Sequence, residues 1–149
     1  MIRYVRGNLL DSNAEALVNA VNCVGVMGKG IALAFKERYP DMFREYARKC
    51  RREEMQPGSV WARRWGHGGP HRKWVACAAT KNHWRDPSHL SDIELCAARL
   101  RAFVKAASIK SIAVPALGCG NGGLKWEEVR PLLENALGDL NADVEIYEP

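Results

Sequence analysis

An α/β layered domain with a mixed, partly parallel sheet is the fold this sequence predicts. Three observations carry it. Strand-like and helix-like runs are interleaved, with helices between the later strands. Two glycine-rich loops each leave a strand-like run and enter a helical one. The 149 residues, 47% hydrophobic and 26% charged, show no repeat, linker or low-complexity tract, so a single domain over 1–149 with a full core is expected.

IRYVRG (2–7) alternates and opens on β-branched residues, which predicts a strand, and EALVNAV (15–21) is a short apolar run typical of a buried one. After the loop 22–29, GIALAFKERY (30–39) has apolar residues at helical spacing and Pro40 stops it. Pro40 or Asp41 opens a second helix through Glu54, with Met42, Phe43, Tyr46 and Ala47 on one side. Pro57-Gly58 marks a turn, and SVWARRW (59–65) and KWVACAAT (73–80) read as two strands around GHGGPH. The strongest helix is 91–108, where Ser91 as N-cap and Glu94 form a capping box and Leu95, Ala98, Leu100 and Phe103 supply the apolar side. KSIAVPAL (110–117) is a strand, GCGNGG a loop, 126–140 a helix and ADVEIYE (142–148) a last strand.

No apolar run approaches a membrane span and the start lacks the apolar stretch of a signal peptide, so a cytoplasmic protein with no membrane partner is expected. The five cysteines are scattered, no CxxC pair exists and the four histidines form no HExxH, so no metal site or disulfide framework is expected. Net charge is +5, with Lys and Arg clustered in 48–54, 62–64 and 71–73. Such a surface attracts nucleic acid or another polyanion, or is a solvated face with cations complementing a helix C-terminus.

The loop in VNCVGVMGKGIALAF (21–35) invites a phosphate, yet no Lys-Ser or Lys-Thr pair follows its last glycine, so it is not a kinase or GTPase phosphate loop. Gly118, Gly120 and Gly123 match G-x-G-x-x-G. Only one helix and one strand follow them, which argues against a dinucleotide-binding dehydrogenase. Glycines let backbone N–H groups approach a ligand, and a helix N-terminus favours negative charge. Two such loops suggest a clamp on a diphosphate; taken singly, each is a tight strand-to-helix connection. Asn19 and Asn22 flank the strand end before the first loop, where an amide bonds a ribose hydroxyl or caps the loop's own backbone.

GNLL (7–10), VNAVN (18–22), GVMGKGIA (25–32), ATK (79–81) and PALGCGNGGLKW (115–126) together resemble the macrodomain, an ADP-ribose-binding fold, along essentially the whole chain and in the family's order. The resemblance implies a three-layer α/β/α sandwich around a mixed sheet. It implies that loops 25–31 and 118–124 hold the diphosphate of ADP-ribose, through Gly28, Gly30 and Ile31 in the first and Gly118, Cys119, Gly120, Asn121, Gly122, Gly123 and Leu124 in the second. Asn22 would meet the distal ribose. Asn8 and Leu9 would lie at the adenine end, where the family more often carries Gly-Asp; Asn8 keeps an acceptor and loses the charge.

VMGKGIALAFK followed by ATKNHWR resembles DarG antitoxins and their terminal ADP-ribose glycohydrolase relatives, which remove ADP-ribose from thymidine in single-stranded DNA or from acidic protein side chains. Lys81 falls on the catalytic lysine of that pattern. The eukaryotic relatives add an aspartate where this chain has Gly122, so the DarG pattern is closer. Relatives of that kind continue into a segment that contacts the toxin, so a stand-alone relative or a piece of a longer protein is expected.

Trp84 and Arg85 can stack on a base, which suits a nucleic-acid substrate, or Trp84 packs its loop. His83 reads as a solvated loop residue, Cys119 as a filler in a tight turn, Trp126 as the anchor of its helix, and Trp61, Trp65 and Trp74 as packing residues. Tyr147 is placed against adenine only by its position at a strand end. The expectation is an ADP-ribosyl glycohydrolase: a monomer without cofactor, with ADP-ribose as ligand, ADP-ribosylated single-stranded DNA as substrate and a DarT-like toxin as partner. ADP-ribosylated protein as substrate, or a non-catalytic reader, are the alternatives.

Overall fold

The structure, a computed structural model, describes residues 1–149. Six strands form one sheet: β1 (Ile2–Val5), β2 (Ala16–Val21), β3 (Val60–Trp65), β4 (Lys73–Ala79), β5 (Ser111–Pro115) and β6 (Asp143–Tyr147). Their order across the sheet is β1-β6-β5-β2-β4-β3, parallel throughout except for the antiparallel β3–β4 hairpin. Four helices flank it: α1 (Gly30–Arg38), α2 (Pro40–Arg51), α3 (Leu90–Ala106) and α4 (Trp126–Leu137).

The central strands are apolar on both faces because both faces are covered. From β2, Ala16 and Val18 join the core with α3 and α4, while Leu17 and Val21 join a second core with Phe35 of α1, Met42 and Tyr46 of α2, and Tyr39 between the two helices. The period-two alternation of a strand thus feeds two separate cores, and the three-layer α/β/α sandwich follows. Trp61 and Trp65 pack edge to face at 5.8 Å, and Trp74 packs on Phe103 at 5.3 Å, as packing residues should. Trp126 opens α4 and packs against the α3–α4 core.

Several boundaries differ from the sequence expectation. β1 ends at Val5, and a short 3-10 turn over Leu9–Asp11 follows. α3 starts at Leu90 with extended His89 at the N-cap and no side-chain cap bond, so Ser91 lies inside the first turn and the capping box with Glu94 does not form. Its core face is Ile93, Cys96, Ala97, Leu100 and Val104, which shares only Leu100 with the expected stripe. Ala98 faces solvent, and Leu95 folds over Gly58, where an added Cβ would come within 2.6 Å of it. α2 and α4 each end about a turn early, at Arg51 and Leu137.

Candidate active site at the strand ends

A cleft of about 700 Å³ opens where β2, β4 and β5 end. Parallel strands with helices on both faces leave their C-terminal ends open to a ligand. Val21 ends β2 and Asn22 follows it, Thr80 and Lys81 follow β4, and Pro115 ends β5 with Ala116 after it; all line the cleft.

The first glycine loop is shaped by the side chain of Asn22. Its Nδ2 donates to the Val26 carbonyl at 2.8 Å, and its Oδ1 accepts from the N–H groups of Val24 (3.0 Å) and Val26 (3.4 Å). The buried Tyr46 hydroxyl donates to Asn22 Oδ1 at 2.8 Å and to its carbonyl at 2.9 Å. Of the two readings for this amide, the loop cap is therefore the one formed. Asn22 still lines the cleft, but Oδ1 is spent and only one Nδ2 hydrogen is left for a ribose. Gly25, at φ +85, brings the loop to within contact of Ala47 and Cys50 on α2. Met27 is buried as the loop's anchor, with Asn19 Nδ2 3.7 Å from its sulfur. Gly28, Lys29, Gly30 and Ile31 then form the cleft wall, and α1 begins there with no side-chain cap, so its first N–H groups are free for an anion.

The second loop folds on itself. Leu124 N–H donates to the Gly118 carbonyl at 3.0 Å and Gly123 N–H to that of Gly120 at 3.2 Å. Gly118, at φ +77, has no room for a side chain: a Cβ would lie 2.8 Å from Leu124 Cδ1. Gly118, Gly120, Asn121 and Gly122 face the cleft. At Gly122 an added Cβ would sit 2.4 Å from Ser88 Oγ and 2.5 Å from the Gly118 carbonyl. The aspartate that some relatives carry here is therefore not simply absent; this backbone has no space for it.

A third segment completes the site. Thr80 N–H bonds the Val21 carbonyl at 2.9 Å and Cys23 N–H that of Asn82 at 2.7 Å, which fixes Lys81 between them. The half-buried Lys81 lines the cleft with Trp84 and Arg85. Trp84 is 42% exposed and so does not pack its loop into the core. The Arg85 guanidinium lies 4.6 Å from its ring centre and the His83 ring 5.1 Å, forming a stacked ledge on the rim.

Eleven of the residues expected at the ligand thus converge on the cleft. Five do not line it. Leu9 is buried in the α1–α2 core, and Asn8 Oδ1 accepts from Leu10 N–H at 3.1 Å as the cap of the 3-10 turn. Gly123 and Leu124 close the second loop behind its cleft-facing residues. Cys119 is half-buried with its thiol 3.8 Å from the Leu117 carbonyl, and burial pushes that thiol up, which suits a filler and not a nucleophile. Tyr147 also lies outside the lining and packs against the α1–α2 core. Val26 and Lys29 lie in the loop 25–31 that the sequence assigned to the diphosphate but were not singled out there, and Thr80, Val21, Pro115 and Ala116 were not foreseen in the lining. The lining holds three cations, Lys29, Lys81 and Arg85, and no carboxylate. No group of three or more His, Cys, Asp or Glu is placed to hold a metal ion.

A doubly covered sheet with two glycine loops at its strand ends defines an α/β ligand-binding domain, and residues 18–133 match the Macro domain, so this chain belongs to the macrodomain family. Within it, the chain is similar to the macrodomain of Mycobacterium tuberculosis DarG: 48% identical, covering all of this chain and 98% of that one, with a TM-score of 0.94. A second structure, Thermosipho africanus DarTG in complex with ADP-ribose, is 35% identical and superposes with a TM-score of 0.90 over 99% of this chain and 41% of that one. The DNA ADP-ribosyl glycohydrolase of Mycobacterium tuberculosis is 48% identical over 151 aligned residues, which are all of this chain and 42% of that protein. The chain thus spans less than half the length of the curated DNA ADP-ribosyl glycohydrolases it matches. No helix is long and apolar enough to cross a membrane.

Proposed function

We propose that this chain binds ADP-ribose in the cleft and hydrolyses the N-glycosidic bond that joins it to thymine in single-stranded DNA, reversing a DarT-like toxin in the cytoplasm. The observation that carries the reading is the cleft itself: two glycine loops, two further cations and no carboxylate around one half-buried lysine at a strand end. The names of the DarG relatives support the same reaction.

In this reading the diphosphate lies between Gly28–Ile31 and Gly118–Gly122, against the uncapped start of α1. The distal ribose then points towards Lys81. The bond from C1 of that ribose to the thymine nitrogen breaks through a transition state with oxocarbenium character, water supplies the hydroxyl to C1, and the base nitrogen takes a proton. Ordinary glycosidases meet such a transition state with two carboxylates, and no carboxylate lines this cleft. Lys81 as an ammonium supplies the proton to the departing base. Its alternative role, attack on C1 as a free amine, first requires loss of a proton. Nothing in the cleft wall is a base to take it, and the nearby His83 Nδ1 already accepts from Arg85 N–H at 3.1 Å. Trp84 and Arg85 form the ledge for the base or its neighbour.

The test is direct. The protein is incubated with ADP-ribosylated single-stranded DNA and, separately, with protein modified on acidic side chains. Release of ADP-ribose from the DNA is expected; release from protein alone would move the reading to a protein hydrolase, and binding without release from either would make this chain a reader.

A further inference from the structure

The cleft accounts for three cations, but not for the Arg-rich run of α2. Arg44, Arg48 and Arg51 follow one another at i, i+4 and i+7, with Arg52 next to the last, so they share one face of the helix. The stripe extends for about 10 Å at the rise of an α-helix. Arg44 is paired with Asp41 and Lys49 with Glu54, while Arg48, Arg51 and Arg52 stand exposed.

The direction of α2 decides what this stripe is for. Just before its start, the Tyr39 hydroxyl bonds the His71 carbonyl at 2.7 Å, in the β3–β4 turn at the far end of the sheet. Near its end, Tyr46 holds Asn22, and Ala47 and Cys50 lie against Gly25. The stripe therefore descends towards the first glycine loop. Val24 and Val26 flank Gly25, which lies against α2, and Val26 lines the cleft; 41% and 42% exposed, they form an apolar sill on which a sugar or base can rest. The other basic clusters are elsewhere. Arg64 pairs in register with Trp74, and Trp65 with Lys73, about 17 Å along the strands from the cleft. There Lys73 Nζ is bound to the Ala14 carbonyl at 2.6 Å and the Arg64 guanidinium lies over the Trp74 ring.

We infer that the Arg48–Arg51–Arg52 face of α2 is the phosphate track for the single strand flanking the modified base, which crosses the Val24–Val26 sill into the cleft. This rests on the reading of the substrate as single-stranded DNA. It assigns the DNA contact to one basic cluster and denies it to the other two.

The experiment measures binding of an unmodified single-stranded oligonucleotide by fluorescence anisotropy across a salt series. The parent is compared with Arg48→Gln/Arg51→Gln and with Arg63→Gln/Arg64→Gln; all four positions are exposed. The first pair should weaken binding several-fold and lower the log–log salt slope by about 0.7 for each lost contact; the second should match the parent. ADP-ribose affinity should be the same in all three proteins, which shows that fold and cleft are intact. An unchanged slope in the first pair, or an equal loss in the second, would overturn the assignment. Absence of cleavage of modified DNA by the parent would instead remove the proposed activity, while the binding slopes still decide the track.

Discussion

At Lys81 the structure sharpens a claim that one position in a strand-end motif had already suggested. Its neighbours are fixed by main-chain bonds from Thr80 and to Asn82, and it shares the cleft wall with the glycine loops without supporting them. Lys81→Ala should therefore keep ADP-ribose affinity within a few-fold by calorimetry and lose hydrolysis by orders of magnitude. Lys81→Arg, which can donate but not readily deprotonate, should retain measurable turnover if the lysine acts as proton donor. Glycine substitutions in the second loop should part in the same way. Gly120 has open space around an added Cβ, so Gly120→Glu should fold normally and abolish ADP-ribose binding by placing a carboxylate where the diphosphate lies. Gly122→Ala meets Ser88 Oγ and the Gly118 carbonyl, and should cost about 1–3 kcal/mol of stability through overpacking, read from chemical denaturation. A Gly120→Glu protein with parental affinity would refute the clamp. The difference between these two glycines was not legible in GCGNGG, because Ser88 sits more than 30 positions earlier in the chain. Asn22 was ambiguous for the same reason: the hydroxyl that completes its loop-capping role belongs to Tyr46.

Among the elements, those with one dominant periodic signal were read well, and their ends were not. The buried runs of β2, β4 and β5 stood out because strands covered on both faces are apolar almost continuously, with Asn19 the polar exception in β2. The core face of α3 was misplaced because Leu95 and Phe103 are apolar without facing the centre of the core; each covers the edge of a strand or turn. The 3-10 turn at Leu9–Asp11 has no periodic pattern, and so the capping role of Asn8 and the burial of Leu9 were not legible in GNLL. The junction of α3 and α4 carries a pH prediction. Arg101 forms a bidentate pair with Asp139, just past the end of α4. The hydrogen bonds from Arg101 hold the Asp139 carboxyl below the usual carboxylate value of 3.8. A lowered folded-state pKa contributes stability that is present above that value and is lost as pH falls through the lowered one. Asp139→Asn should thus flatten the acid limb of stability against pH and leave the neutral and alkaline limbs parallel to the parent. The pair is exposed, so the effect should be small; an acid limb of unchanged slope in the variant would rule it out.

For the molecule as a whole, the class of fold was legible and the order of its strands was not. Alternating helices and strands imply parallel pairing, but nothing in IRYVRG says that its neighbour is ADVEIYE, nor that β2 sits between β4 and β5. The placement of charge was equally hidden: three basic clusters look alike in sequence, and only the direction of α2 separates the one at the cleft end from the two behind it. The cleft draws on loops after β2, β4 and β5, so ADP-ribose would join segments from across the chain. At a concentration of 100 times its Kd it should add about 2.7 kcal/mol and raise Tm by roughly 5–10 °C; a scanning experiment with no shift would refute binding at this site. The outermost pairing has a consequence of another kind. β1 lies at the sheet edge and is hydrogen-bonded only to β6, Ile2 facing Val144 and Val5 facing Tyr147. Of the six strands β1 comes before the others in the chain, and during synthesis it has no partner until β6 emerges. The inner strands and their helices can assemble in the meantime, while residues 2–5 wait as an unpaired ribbon. Among the six strands, β1 is made before the rest and paired after them.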